Sequence, residues 1–272
     1  MRLGQPPVHR NLSVVALVVA FSLAAGNAQG GGWPLAPGTG ELIVPVTHMR
    51  AGERYDGSGK KQWKPRYTKI EVTPYAEYGL TSRLTLTGET AWMTDKTDFF
   101  GMNFRDRGLT RIKAGARIAL GTWVGTHFSV QPIATLHLMG AANDPAATAK
   151  GDIDAEMVLV VARNEKLFGI DAFSVQEIAW RYRDSGRPDE VRADIAFGAK
   201  PWPGIMLLAK SLNTAALSST AAGDSYQSGK LALSLVHDVA PGWALEAGME
   251  HSVFGRDTIV ERTLRFAVWR RF

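Results

Sequence analysis

A two-residue period runs through this chain from residue 39 to its end, and few folds accept it. Apolar side chains alternate with polar or small ones across twelve segments, 39–50, 66–78, 83–95, 107–120, 123–139, 152–163, 168–183, 189–200, 204–213, 226–238, 243–255 and 258–272. Such alternation gives an extended strand two different faces. In segment 107–120, Thr110, Ile112, Ala114, Ala116, Ile118 and Leu120 point one way, while Arg111, Lys113, Gly115 and Arg117 point the other. Val191, Ala193, Ile195, Phe197 and Ala199 separate in the same manner from Glu190, Arg192, Asp194 and Lys200, as do Ile153, Ala155, Met157, Leu159 and Val161 from Asp152, Asp154 and Glu156. One face of each strand avoids charge. A soluble sheet with one wet face alternates too. Its strands, however, usually run about five or six residues, whereas these match the roughly nine to eleven needed to cross a bilayer at a tilt.

The chain has 272 residues, a mean hydropathy of −0.08 and a single extended apolar run. A helical membrane protein needs several stretches of about 20 apolar residues, so that class is excluded. The run, Leu12 to Ala25, follows Arg2, His9 and Arg10 and precedes Gly26 and Ala28, which is the layout of a secretory signal peptide over residues 1–28. Residues 29–38 then read as a short periplasmic N-terminal segment and 39–272 as a membrane barrel. The net charge of +5 is scattered rather than gathered on one face, which argues against nucleic acid as a partner. The absence of cysteine excludes a disulfide scaffold and metal ligation by thiolate.

The connections alternate in length. Tight turns are expected near 79–82, 121–122, 164–167, 201–203 and 239–242, and longer polar loops at 51–65, 96–106, 140–151 and 214–225. Short turns at one rim and longer loops at the other, with an even strand number, are the layout of an outer-membrane barrel whose termini are both periplasmic. Tyr78, Trp92, Trp123, Trp180, Tyr182, Trp202, Trp243 and Trp269 gather near strand ends, as an aromatic belt would. Because lipid cannot satisfy an open strand edge, the expected fold is all-β: a closed antiparallel transmembrane barrel of about twelve strands. Pro74 and Pro132 fall mid-strand, where each removes a ladder donor, and local bulges are expected there.

The last strand places Leu264, Phe266, Val268 and Phe272 on one face. Here the chain resembles bacterial outer-membrane β-barrel proteins, whose closing strand typically ends in phenylalanine with hydrophobic residues at alternate positions. The resemblance implies residence in the bacterial outer membrane and delivery to the barrel-assembly machinery through these four residues. Arg270 departs from the pattern, although at a rim it can snorkel to the headgroups. The stretch from Tyr67 to Trp92, with Pro-Tyr-Ala-Glu-Tyr-Gly-Leu-Thr-Ser-Arg-Leu-Thr-Leu at 74–86, loosely resembles small barrels grouped as meta-pathway phenol-degradation type transporters. That implies passive transport of small solutes, aromatic or hydrophobic ones among them.

Any activity of such a barrel belongs to its lumen. Parity turns Glu71, Glu77, Glu89, Arg117, His127, Gln131, Glu177, Arg192, Asp194, Glu246, Glu250 and Arg265 inward, a polar wall of both signs. Toward the outer mouth lie Arg111, Lys113, His137, the row Asp152, Asp154 and Glu156, and Arg181 with Arg183. These are the candidates for a charged constriction that selects solutes by size and charge. The same rows could pair across the sheet and merely fill the barrel, so a non-conducting structural or adhesion barrel is the alternative. Three carboxylates repeating about every 6.7 Å along a strand could instead hold a divalent cation, but the nearby arginines favour pairing, and no metal or cofactor is expected.

An outer-membrane hydrolase is the weaker rival. The Ser-His-Asn arrangement of outer-membrane phospholipase A needs serine and histidine on one face. His251 and Ser252 alternate to opposite faces, and Asp95, Asp98 and Asp106 read as solvated loop acids, so no enzyme and no catalytic residue is expected. Gly57-Ser58-Gly59-Lys60-Lys61 lacks the glycine spacing and the hydroxyl of a phosphate loop and reads as a flexible basic loop. Its lysines, with Arg50, Arg54, Lys64 and Arg66, point to outer-membrane lipids and lipopolysaccharide phosphates as partners.

Overall fold

In the computed structural model, which describes residues 31–99, 101–138, 151–184, 187–217 and 225–272, the alternating segments become fourteen strand pieces. They are β1 (Gly40–Tyr55), β2 (Lys61–Val72), β3 (Tyr75–Thr81), β4 (Leu84–Phe99), β5 (Met102–Trp123), β6 (Thr126–His137), β7 (Ile153–Leu167), β8 (Ile170–Arg183), β9 (Glu190–Trp202), β10 (Ile205–Ala216), β11 (Gln227–Ala240), β12 (Trp243–Arg256), β13 (Thr258–Ile259) and β14 (Arg262–Arg271). The expected signal peptide lies outside the described residues, as do 140–150 and 218–224 of two expected loops.

Two wall strands are each built in two pieces. β2 and β3 both pair with β1 and with β4, and the register runs on unbroken from Val46 opposite Val72 to Ile43 opposite Tyr75. β13 and β14 likewise both pair with β1. Counted this way the wall has twelve antiparallel strands. It closes where β14 meets β1, from Glu41 opposite Arg271 to Arg50 opposite Arg262, leaving no free edge. The Phe272 amide donates to the Gly40 carbonyl at 3.0 Å and the Gly40 amide to the Phe272 carbonyl at 2.7 Å. A Cβ at position 40 would stand 2.5 Å from the Phe272 ring, so a larger residue there would have to displace that ring.

Five two-residue turns occupy one rim: Ser82 with Arg83, Val124 with Gly125, Phe168 with Gly169, Pro203 with Gly204, and Pro241 with Gly242. Two of them correct the sequence reading, for 121–122 and 164–167 are strand. Val124 (φ 47°) and Phe168 (φ 52°) each precede a glycine of positive φ, the doubly left-handed turn that suits twisted hairpins. Bulky residues seldom adopt that conformation, so neither pair carries a turn signal. At the opposite rim the expected loop 96–106 is a hairpin, with β4 and β5 paired out to Phe99 opposite Met102. Asp95, Asp98 and Asp106 therefore lie on strands. The loop at 57–61 is also ordered, because the Asp56 carboxylate accepts the Ser58 amide and hydroxyl, the Lys60 amide and the Gln62 side chain.

The expected bulges at Pro74 and Pro132 do not form. Pro74 interrupts its strand without offsetting the register, and Pro132 stays opposite Met157. Losing one donor removes a rung without requiring an extra residue. Register shifts fall elsewhere: two on β5, at Thr110 and Leu120, and others where β1 meets β2, β3 meets β4, β9 meets β10 and β11 meets β12.

The side chains assigned to the outer face do face outward except Thr110, which sits at the β5 bulge, is buried and donates its hydroxyl to the Ala91 carbonyl; Leu264, Phe266, Val268 and Phe272 are all exposed. Tyr78, Trp123, Trp202 and Trp243 mark the short-turn end, and Trp180 and Tyr182 the other. Trp269 is the exception: it lies on the inward parity of β14, and its Nε1 donates to Glu246 at 3.1 Å. Arg270 holds its guanidinium 5.0 Å from the Trp243 ring centre and donates to the Pro241 carbonyl at 3.4 Å, a cation drawn to the rim.

Candidate functional site

The lumen has two unlike halves. Toward the short turns, β7, β8 and β10–β12 point small and apolar residues inward, and Val158, Val160, Ala162, Phe173, Val175, Met206, Leu208 and Val236 pack together. The N-terminal segment enters this end. Trp33 meets Phe173 and His127 edge to face, with ring centres 6.1 and 6.0 Å apart. The Leu35 amide then donates to Thr85 at 2.9 Å, and the Gly38 amide to the Gly79 carbonyl at 2.9 Å. Residues 32–38 thus form a strap along a chord of the mouth, from β7 and β8 to β3 and β4. Its anchor is Arg117, buried, which grips Glu77 through two bonds of 2.7 and 3.1 Å and donates to Gln131 and to the Trp33 carbonyl. Tyr75 donates to the same Glu77.

The outer half is charged. Arg181 bridges Glu156 (2.6 Å) and Glu190 (2.8 Å), and Arg183 reaches Glu190 at 2.6 Å. Arg192 touches Glu156, Glu177 and Asp194, and His137 meets Asp154 at 2.9 Å. Across the lumen Arg111 pairs with Glu71 and Glu89, and Lys113 with Glu89. Tyr226 donates to Glu190 from just outside β11, and burial against that carboxylate pushes its phenol above the usual range. These groups surround a cavity of about 550 Å³. Its lining carries the cations Arg111, Lys113, Arg181, Arg183, Arg192 and Lys230 against the anions Asp154, Glu190, Asp194 and Glu261. A second cavity of about 210 Å³ lies deeper, against Tyr75, Glu89, Arg117, Gln131 and Glu177. Lys113 and Arg192 line both.

Of the eight constriction candidates, Arg111, Lys113, His137, Asp154, Arg181 and Arg183 line the outer cavity. Asp152 and Glu156 do not. Asp152 is buried beneath Arg187 at 3.1 Å, and Glu156 is enclosed by Arg181 and Arg192. With Asp154 also held by Arg187, the acidic row is neutralised by guanidinium groups, and no three such groups converge for a metal among the described residues. Sequence reading missed Tyr226, Lys230 and Glu261 in the cavity wall. It also missed Lys210, which faces inward from β10 and forms no ion pair among the described residues.

A closed, even-stranded antiparallel wall with an apolar outer face, two-residue turns on one rim and a polar lumen defines a bacterial outer-membrane β-barrel. In three dimensions the chain is similar to an outer membrane channel from Pseudomonas putida F1, with a TM-score of 0.68 and 14% identity, covering 91% of this chain and 100% of that one. It is also similar to the β domain of the Bordetella autotransporter BrkA (TM-score 0.52, 13% identity, 86% and 100% covered) and to the NanC porin (0.50, 10%, 85% and 100%). At these identities the likeness is one of fold. No protein-family model and no curated protein sequence matches the chain.

Proposed function

We propose that this barrel is a passive channel for small solutes and that its outer vestibule favours anions. The observation that supports this is the position of Lys113 and Arg192, the two charged residues that line both cavities; a solute moving inward passes them, although Glu89 and Glu177 pair with them in the deeper wall. Six cations against four anions in the vestibule act in the same direction. Small carboxylates match the arrangement best, the carboxylate at Lys113 and Arg192 and the body against Tyr75, Ile133 and Val158 of the deeper cavity. A structural, non-conducting barrel is the second reading, and the strap across the mouth favours it.

Reversal potentials of the refolded chain in planar bilayers under a KCl gradient separate the two. Anion preference is expected, moving toward cations in the Lys113→Glu, Arg192→Glu double variant. Unchanged potentials overturn the selectivity assignment. Silence from a barrel whose gel mobility still shifts on heating favours the structural reading.

A further inference from the structure

The charges on the outside of the barrel are as unevenly distributed as those within. On five adjacent wall strands the apolar outward face ends near the outer rim and cations follow directly. On β14 Leu264 is followed toward that rim by Arg262, and on β1 Val46 is followed by His48 and Arg50. On β2 Ile70 leads to Thr68 and Arg66, on β4 Trp92 leads to Thr94 and Lys96, and on β5 Leu109 leads to Arg107 and Arg105. The pairing places these residues side by side: Arg262 is opposite Arg50, Arg50 opposite Thr68, Thr68 opposite Lys96, and Lys96 opposite Arg105. Neighbouring strands lie about 4.8 Å apart, so the fringe spans roughly 19 Å of circumference. It climbs obliquely because the strands are tilted.

Six cations, Arg50, Arg66, Lys96, Arg105, Arg107 and Arg262, are exposed on this face. Asp98 lies among them and pairs with Lys96 at 3.2 Å, while Arg66, Arg105, Arg107 and Arg262 form no ion pair among the described residues. The other side of the barrel differs. On β6 to β10 the outward strand residues at the same end are Leu136, Ile153, Tyr182, Val191 and Ala215, all uncharged, while β12, beside β14, ends in the exposed Arg256. Arginine facing lipid is costly at the bilayer midplane and tolerated at its interface, where phosphate accepts its fork of donors.

We infer that the outward face of β14, β1, β2, β4 and β5 is a binding site for a phosphorylated glycolipid of the outer leaflet, with Arg50 and Arg262 at its membrane edge and Lys96, Arg105 and Arg107 above. The glycolipid is favoured over an ordinary phospholipid because the fringe rises several residues beyond the last apolar side chain, farther than one headgroup phosphate reaches.

The test uses the whole mature chain in detergent micelles, with bisphosphorylated lipid A, dephosphorylated lipid A and phosphatidylglycerol as probes. Retained lipid is counted after chromatography. Wild type is expected to hold lipid A in preference to both other lipids and to release it as salt is raised. A variant with Arg50→Gln, Arg66→Gln, Arg105→Gln and Arg262→Gln is expected to bind lipid A about tenfold more weakly, four modest charge contacts being lost. Lys166→Gln, at the short-turn end, is expected to change nothing. Equal retention of dephosphorylated lipid A or of phosphatidylglycerol overturns the proposal, as does a folded quadruple variant that binds like wild type. Should that variant fail to fold, salt-independent binding by wild type alone overturns it.

Discussion

The outer and inner halves of the lumen are made by the same strands, yet ion pairs dominate the first, whereas apolar packing fills much of the second around the buried Arg117–Glu77 pair. β7 sends Asp154 into the vestibule and Glu156 beneath Arg181 and Arg192 and, two residues on, begins the run Val158, Val160 and Ala162. β8 runs in reverse, from Phe173 and Val175 through Glu177, opposite Val160, to Ala179, Arg181 and Arg183. On β7 the change from apolar to charged falls between Val158, which faces Ala179, and Glu156, which faces Arg181; on β8 the carboxylate of Glu177 reaches one rung deeper. Above that boundary paired guanidinium groups line the cavity of about 550 Å³, and below it packing and the strap narrow the space to the cavity of about 210 Å³. Parity decides which residues face inward, and what stands at the inward positions decides whether the lumen is open.

Substitutions in the two halves should therefore differ in kind, the inner ones acting on stability and the outer ones on selectivity. The largest effect is expected from Arg117→Met, which strands the buried Glu77 and costs about 3–5 kcal/mol. The urea midpoint in micelles measures it, and adding Glu77→Leu should recover most of the loss. Phe173→Ala, removing a buried ring that packs on Trp33, is expected to cost about 3 kcal/mol by the same assay and to raise the unit conductance. In the outer half, Tyr226→Phe loses the hydroxyl's hydrogen bonds with Glu190 and Arg183, while Glu190 keeps both arginines, and should cost about 2 kcal/mol.

The smallest effect lies outside both halves, at Asp56. Its hydrogen bonds from Ser58, Gln62 and Lys60 hold its carboxyl well below the usual carboxylate range. A lowered value in the folded chain means that the carboxylate supports the turn above an ordinary pKa of about 3.9 and loses that support as pH falls through the lowered one. Hydrogen exchange at the Ser58 and Lys60 amides should therefore stay protected to about pH 3, and Asp56→Asn should lower the protection independently of pH.

The strands, their faces and most of the charged vestibule were legible because a period of two survives any detail of packing. The turns at 203–204 and 241–242 overlap the expected 201–203 and 239–242, whereas Val124-Gly125 and Phe168-Gly169 carry no signal, since their first residues rarely take positive φ. Lys210 and Lys230 escaped notice because their strands carry apolar residues on both faces, Met206 and Leu208 pointing inward as Leu207 points out, which blurs parity. Arg187 and Tyr226 belong to connections, where no periodicity assigns a face. The strap is the deepest omission. Residues 31–39 have no repeat, and only the wall that Trp33 packs against shows where they lie.

The direct test of a vestibule closed from below by its own N-terminal strap is single-channel conductance of the refolded chain with and without residues 31–38. Small steps that grow several-fold on deletion, with the same anion preference, are the result this account predicts. Steps of identical size in two equally folded barrels would contradict it.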